Sequence, residues 1–99
     1  MDFDGFDWDK GNRDKCLQHG MSLADIESVF NRPVVILPDK NNATGERRFR
    51  AIGKASSGRS AFVVFTLRLH RTSQKIRPIS ARYMHKREIE NYAKDYPDV

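Results

Sequence analysis

Residues 60–69 (Ser-Ala-Phe-Val-Val-Phe-Thr-Leu-Arg-Leu) constrain this chain more than any other segment. Apolar side chains stand at both parities, so a strand built from them must be covered on both faces and belongs in the middle of a sheet. Ser56-Ser57-Gly58 precedes it and Arg71-Thr72-Ser73 follows it, both short and turn-like. Connections that short join antiparallel neighbours, because a parallel partner needs a long crossover. The neighbours are residues 46–54 and residues 75–82. In the first, Phe49 and Ala51 fall on one face and Arg48, Arg50 and Ile52 on the other. Residues 34–37 (Val-Val-Ile-Leu), ended by Pro38, make a further strand, and 39–45 are turn chemistry. Pro78 lacks a backbone donor, so the last strand is an edge or carries a bulge there.

Helical patterns flank the strands. Asp9 caps a first helix through about Gln18, and His19-Gly20 stops it, glycine relieving the left-handed strain of a C-terminal cap. Ser22 opens a second helix whose apolar face is Leu23, Ile26, Val29 and Phe30, closed by Pro33. The tail from about His85 to Tyr96 repeats Ile89, Tyr92, Ala93 and Tyr96 at helical spacing, and Pro97 ends it. The order is α-α-β-β-β-β-α. This is an α+β fold: two N-terminal helices, a four-stranded antiparallel meander sheet and a C-terminal helix. With 99 residues there is room for one domain, spanning 1–99. The acid-and-aromatic start (Asp2, Phe3, Asp4, Phe6, Asp7, Trp8) is expected to bury Phe6 and Trp8 and leave its acids in water. It lacks a signal-peptide pattern, and the longest apolar run, Ala61 to Phe65, is far too short for a bilayer. One cysteine, Cys16, suits a reducing cytoplasm and is read as a packing residue. Without Cys/His clusters, no metal site is expected, and no cofactor.

Charge is split by position. Residues 46–90 hold 12 Lys and Arg against 3 Asp and Glu, whereas residues 1–45 hold 5 against 8. A segregated basic half implies an anionic partner, since self-repulsion is tolerated where a ligand offsets it. Gly-rich phosphate loops, metalloprotease helices and serine elbows are absent from the sequence. The chemistry-bearing cluster is Arg82-Tyr83-Met84-His85-Lys86-Arg87-Glu88, where a strand runs into a helix. It could support RNA cleavage by the ribose 2′-hydroxyl. That reaction needs a base, cations for the crowded phosphorane, and an acid for the leaving 5′-oxygen. Arg binds phosphate through its planar fork, and His exchanges protons near neutrality.

Arg48 and Arg50 share a strand face, and Arg68 sits at the polar end of the central strand. Arg77 and Arg82 have opposite parity, so they line one pocket only if a bulge at Pro78 resets the register. Arg47, Arg50, Arg77, Lys86 and Arg87 are read as RNA-binding at most. His19 closes the first helix, His70 is solvent-exposed, and Glu88 pairs with a basic neighbour such as Arg82 or acts as a base. The residues alone leave three readings open: catalysis, binding of RNA or an acidic protein without cleavage, and a solvated basic face.

Three segments together resemble the BrnT toxins of bacterial type II toxin–antitoxin systems. They are Phe6-Asp7-Trp8-Asp9 with Gly11-Asn12-Arg13 through Lys15-Cys16 to His19-Gly20; Gly45-Glu46 and Arg48-Phe49 with Ile52-Gly53, Gly58-Arg59 and the strand from Val63 to Arg68; and Ile79-Ser80-Ala81-Arg82-Tyr83-Met84-His85 with Glu88 and Tyr92. Met21 departs from the family's usual valine, and Arg47 and Arg50 lie outside its pattern. The resemblance implies a RelE-like fold and an endoribonuclease toxin that cleaves mRNA and arrests growth, which the side-chain chemistry above makes metal-independent and the single cysteine makes cytoplasmic. It also implies a BrnA-like ribbon-helix-helix antitoxin, with operator DNA bound only through the complex. Carried onto this chain, the catalytic candidates are Arg48, Arg68, Arg82 and His85, with Tyr83 and Glu88.

Overall fold

The computed structural model describes residues 3–39 and 45–99. Most of the expected 39–45 turn therefore lies outside the described residues. Helix α1 spans Lys10–Cys16 and passes into a 3-10 turn, Leu17–His19. Its start is fixed reciprocally: Asp9 Oδ1 accepts from the Asn12 amide (3.1 Å), and Asn12 Oδ1 accepts from the Asp9 amide (2.8 Å). Gly20, at φ 84°, takes the left-handed position that ends the turn. Helix α2, Leu23–Val29, is capped by Ser22 Oγ, which accepts from the Asp25 amide.

Four strands follow: β1 Val34–Pro38, β2 Phe49–Lys54, β3 Ser60–His70 and β4 Ser73–Tyr83. They form an antiparallel meander in the order β1-β2-β3-β4. Helix α3, Lys86–Asp95, closes the chain with His85 as its N-cap. The expected α+β architecture and the inner place of the long strand are borne out. Two boundaries need correction. β2 begins three residues later than the alternation suggested, with the Arg48 carbonyl instead accepting from the Asp39 amide (3.0 Å). β4 starts at Ser73 because His70 pairs with Ser73, leaving Arg71 and Thr72 as the hairpin tip. Arg71 takes φ 59° there, a conformation that favours glycine.

Pro78 lies both on an edge strand and at a bulge. Val64 pairs with Ser80 but Phe65 pairs with Pro78, so Ile79 is the extra residue. The N-terminal arm covers part of that edge: Phe6 bridges Ile76, and the Asp7 amide donates to the Ile76 carbonyl (2.8 Å). Phe6 and Trp8 are half-buried, and the described acids of the arm keep much of their surface in water as expected while also making specific bonds. Asp4 accepts from the Gln74 amide, and Asp7 and Asp9 hold Arg77.

Strand alternation separates two apolar layers. One face carries Ala51, Ala61, Val63, Phe65, Ile76 and Ala81, packed under Cys16, Met21, Ile26, Val29 and Phe30 of the helical N-terminus. Phe65 is fully buried and meets Phe30 edge-on (5.1 Å, 87°) and Phe49 in a stacked contact (5.6 Å, 29°). The opposite face carries Ile52 and Phe62, covered by Met84 and by Tyr92 of α3. α3 shields only part of that face. Beyond it the same face carries Arg50, Arg68, Arg77, Ser80 and Arg82, with Val64 half-buried and Thr66 wholly buried between them.

Candidate functional site

The bulge at Ile79 sets the geometry of the open face. Because it inserts one residue, Arg82 stands opposite Phe62, Ser80 opposite Val64 and Arg77 opposite Thr66. Arg77 and Arg82 therefore share a face despite their sequence parity. They still line different clefts, for reasons of distance rather than parity.

The first cleft, of about 280 Å3, is lined by His19, Arg50, Phe62, Val64, Ser80, Ala81, Arg82, Glu88 and Tyr92. The Phe62 ring lies under two guanidiniums, with Arg82 Cζ at 4.7 Å and Arg50 Cζ at 5.5 Å from its centroid. Glu88 grips Arg82 through two parallel bonds, Nη1 to Oε1 and Nη2 to Oε2, each 2.8 Å. Glu88 also accepts from the His85 amide (2.9 Å), which ties the fork to the first turn of α3. Arg82 Nη1 donates further to the Tyr83 carbonyl (3.3 Å). A guanidinium has five N–H donors, so Nε and one hydrogen of Nη2 are left for an anion. Arg50 is paired more loosely, with Asp39 at 3.5 Å.

The guanidinium of Arg82 and the His85 amide hold the Glu88 carboxyl down at about 2, against an ordinary 4.5. A carboxylate that acidic is a poor proton acceptor, which favours pairing over base catalysis for Glu88. The same shift has a stability consequence. A depressed folded-state value gives a contribution that is complete above about 4.5 and lost as the pH falls through about 2. Glu88→Gln should therefore lower the melting temperature at neutral pH, and that difference should close as the pH is taken down to about 2. A thermal scan against pH for both chains measures it.

His19 reaches this cleft through the edge of the sheet. The side-chain amide of Asn12, itself buried, donates to the carbonyls of Asp7 (2.9 Å) and Pro78 (2.8 Å). This pins α1 against the bulge and carries the following 3-10 turn, with His19, to the mouth beside Ser80 and Arg82.

A second cleft of about 260 Å3 is lined by Gly11, Asn12, Lys15, Glu46, Arg48, Arg68, Arg77 and Ile79. Arg68 pairs with Glu46 (3.3 Å), and Arg77 with Asp9 (2.8 Å) and Asp7 (3.6 Å).

The seven-residue cluster at the β4–α3 junction is thus divided. Arg82 and Glu88 meet in the first cleft. Tyr83, one residue on, points to the opposite face, where its hydroxyl donates to Asp25 (2.5 Å) and Arg59 stacks on its ring (3.6 Å). That bond raises the Tyr83 phenol above its ordinary range and lowers Asp25. His85, Lys86 and Arg87 are exposed at the start of α3 and line neither cleft. Arg48 and Arg68 meet each other but not Arg82. Arg47 is exposed, with its guanidinium 5.9 Å from the Phe49 ring. Cys16 is buried and its thiol is pushed up to about 11, which fits the packing role. His19 is the residue that the sequence assigned chiefly to helix termination, with a catalytic role only the lesser reading. The signal that finds it is a contact across 66 residues, from Asn12 to Pro78.

Among the described residues, no three His, Cys, Asp or Glu side chains are grouped to hold a metal ion, and no helix is long and apolar enough to cross a membrane. A family model described as the ribonuclease toxin BrnT of type II toxin–antitoxin systems matches residues 8–88. No curated protein matches the chain.

Proposed function

Because the chain belongs to the BrnT family of ribonuclease toxins from type II toxin–antitoxin systems, we propose that it cleaves mRNA within the Arg50–Arg82 cleft and so arrests growth. The observation that carries this reading is the placement of two guanidiniums over one aromatic ring with an imidazole at the same mouth. Each element suits one part of the reaction.

The ribose 2′-oxygen forms a bond to phosphorus and the bond from phosphorus to the 5′-oxygen breaks, leaving a 2′,3′-cyclic phosphate and a 5′-hydroxyl. The proton of the 2′-hydroxyl must go to a base, and the departing oxygen must receive one. Arg82, its fork preset by Glu88, and Arg50 bind the phosphate and stabilise charge that grows on its oxygens. Phe62 is covered by the two guanidiniums and orders them, while the half-buried Tyr92 ring in the cleft wall is the surface that an unpaired base can meet. His19 exchanges the proton, the role that the sequence assigned to His85. Every group in this scheme is a side chain, so the proposed reaction calls on no metal, and we place it in the cytoplasm, where mRNA is met. Its neutralising partner is a ribbon-helix-helix antitoxin that covers the cleft, and the pair binds operator DNA together.

His19→Gln should slow cleavage by about 10²–10⁴-fold and flatten the pH–rate profile, while His85→Gln stays near wild type. The reverse order would move the proton carrier to the start of α3. In a bacterial host, the wild type should arrest growth with loss of RNA, and the small partner protein should relieve both. Salt-sensitive RNA binding without any cleavage would favour a binding module instead.

A further inference from the structure

We propose that the second cleft is an anion site for a backbone phosphate of the bound strand, distinct from the phosphate that reacts. The proposal rests on the ribonuclease reading but concerns a different place on the sheet. Thr66 and Phe62 are four residues apart on β3, a separation of about 13 Å along a strand. An RNA strand seated at Phe62 and running along the sheet therefore reaches this cleft a few nucleotides away.

The cleft is walled by three arginines, Arg48, Arg68 and Arg77, with Lys15 at the rim. Arg77 stands opposite Thr66, and Arg68 is the next residue of β3 on the same face, so two of the three are set side by side by the strand register. The Nε of Arg48 is buried and has no hydrogen-bond partner. Unpaired buried polar groups are uncommon in folded proteins and call for a reason. Arg68 and Arg77 each have carboxylate partners. Among the described residues Arg48 and Lys15 have no ion pair, so they are the cations of this cleft with most to gain from an incoming phosphate, and Arg48 can meet it with a planar fork.

Contacts to backbone phosphate carry no base information. The site should therefore strengthen binding of any strand long enough to reach it and leave short ones unaffected. Two probes separate these cases: a 2′-fluoro RNA decamer and a 2′-fluoro dinucleotide, neither of which carries the attacking hydroxyl. Binding is read by fluorescence anisotropy across a salt series. For Arg48→Ala, decamer affinity should fall about tenfold. The slope of log affinity against log salt should shrink by about 0.7, and dinucleotide affinity should not change. Lys15→Ala, at the exposed rim, should weaken the decamer in the same direction and melt like wild type. Wild-type decamer binding by Arg48→Ala overturns the proposal, as does an equal loss on both probes. Because neither probe can be cut, these outcomes are independent of whether the wild type cleaves ordinary RNA.

Discussion

An Arg82→Ala chain should keep its sheet and, on the proposed function, cleave RNA about 10²–10³-fold more slowly than wild type, the cost of removing one preset donor from a developing oxyanion. Arg82 stands opposite Phe62, and the bidentate grip of Glu88 fixes its fork before any substrate arrives. That preorganisation is what a flexible lysine lacks, so Arg82→Lys should recover only part of the loss. The fold survives because Arg82 and Glu88 are both partly in water, with side chains 39% and 28% exposed. Glu88 left alone is solvated rather than stranded, and the screened pair is worth no more than about 1 kcal/mol. Single-turnover cleavage and a melting curve on the same sample separate the two effects.

Phe65→Ala should do the opposite. Phe65 is wholly buried between Phe30 and Phe49, on the face away from the clefts. Truncating a buried phenylalanine costs about 3–5 kcal/mol, against a total stability of about 5–15 kcal/mol for a typical domain. Urea denaturation should show that loss, and activity should fall with the folded fraction rather than through the chemistry. A Phe65→Ala chain that stayed as stable as wild type would mean that the aromatic cluster is not the centre of the core.

The long strand β3 was legible in the sequence because both of its parities are apolar, a pattern only an inner strand can satisfy. The N-termini of α1 and α2 were legible in Asp9 and Ser22, whose capping bonds involve residues three positions away. Ser73 looks like a turn residue, but pairing with His70 draws it into β4, and Gln74 follows by pairing with Leu69. Local propensity yields there to the hairpin ladder. The division of Arg82 from Tyr83 follows from strand alternation, which a reading of the cluster as a single linear group overlooks. His19 was not legible. Its place depends on Asn12 reaching the Pro78 carbonyl, and on a bulge whose extra residue is chosen by pairing with β3. The specific bonds of the acids at the start of the chain were equally opaque, since Asp7 and Asp9 meet Arg77 only when the arm lies along β4.

The central claim is that side chains of the first cleft direct the RNA's own 2′-hydroxyl against its phosphate. The most direct test is to incubate the purified chain with end-labelled single-stranded RNA in excess chelator and identify the new ends. Fragments ending in 2′,3′-cyclic phosphate and beginning with 5′-hydroxyl, absent with His19→Gln and Arg82→Ala, are the predicted result. Fragments beginning with 5′-phosphate, or intact RNA beside a folded wild-type chain, would contradict the account.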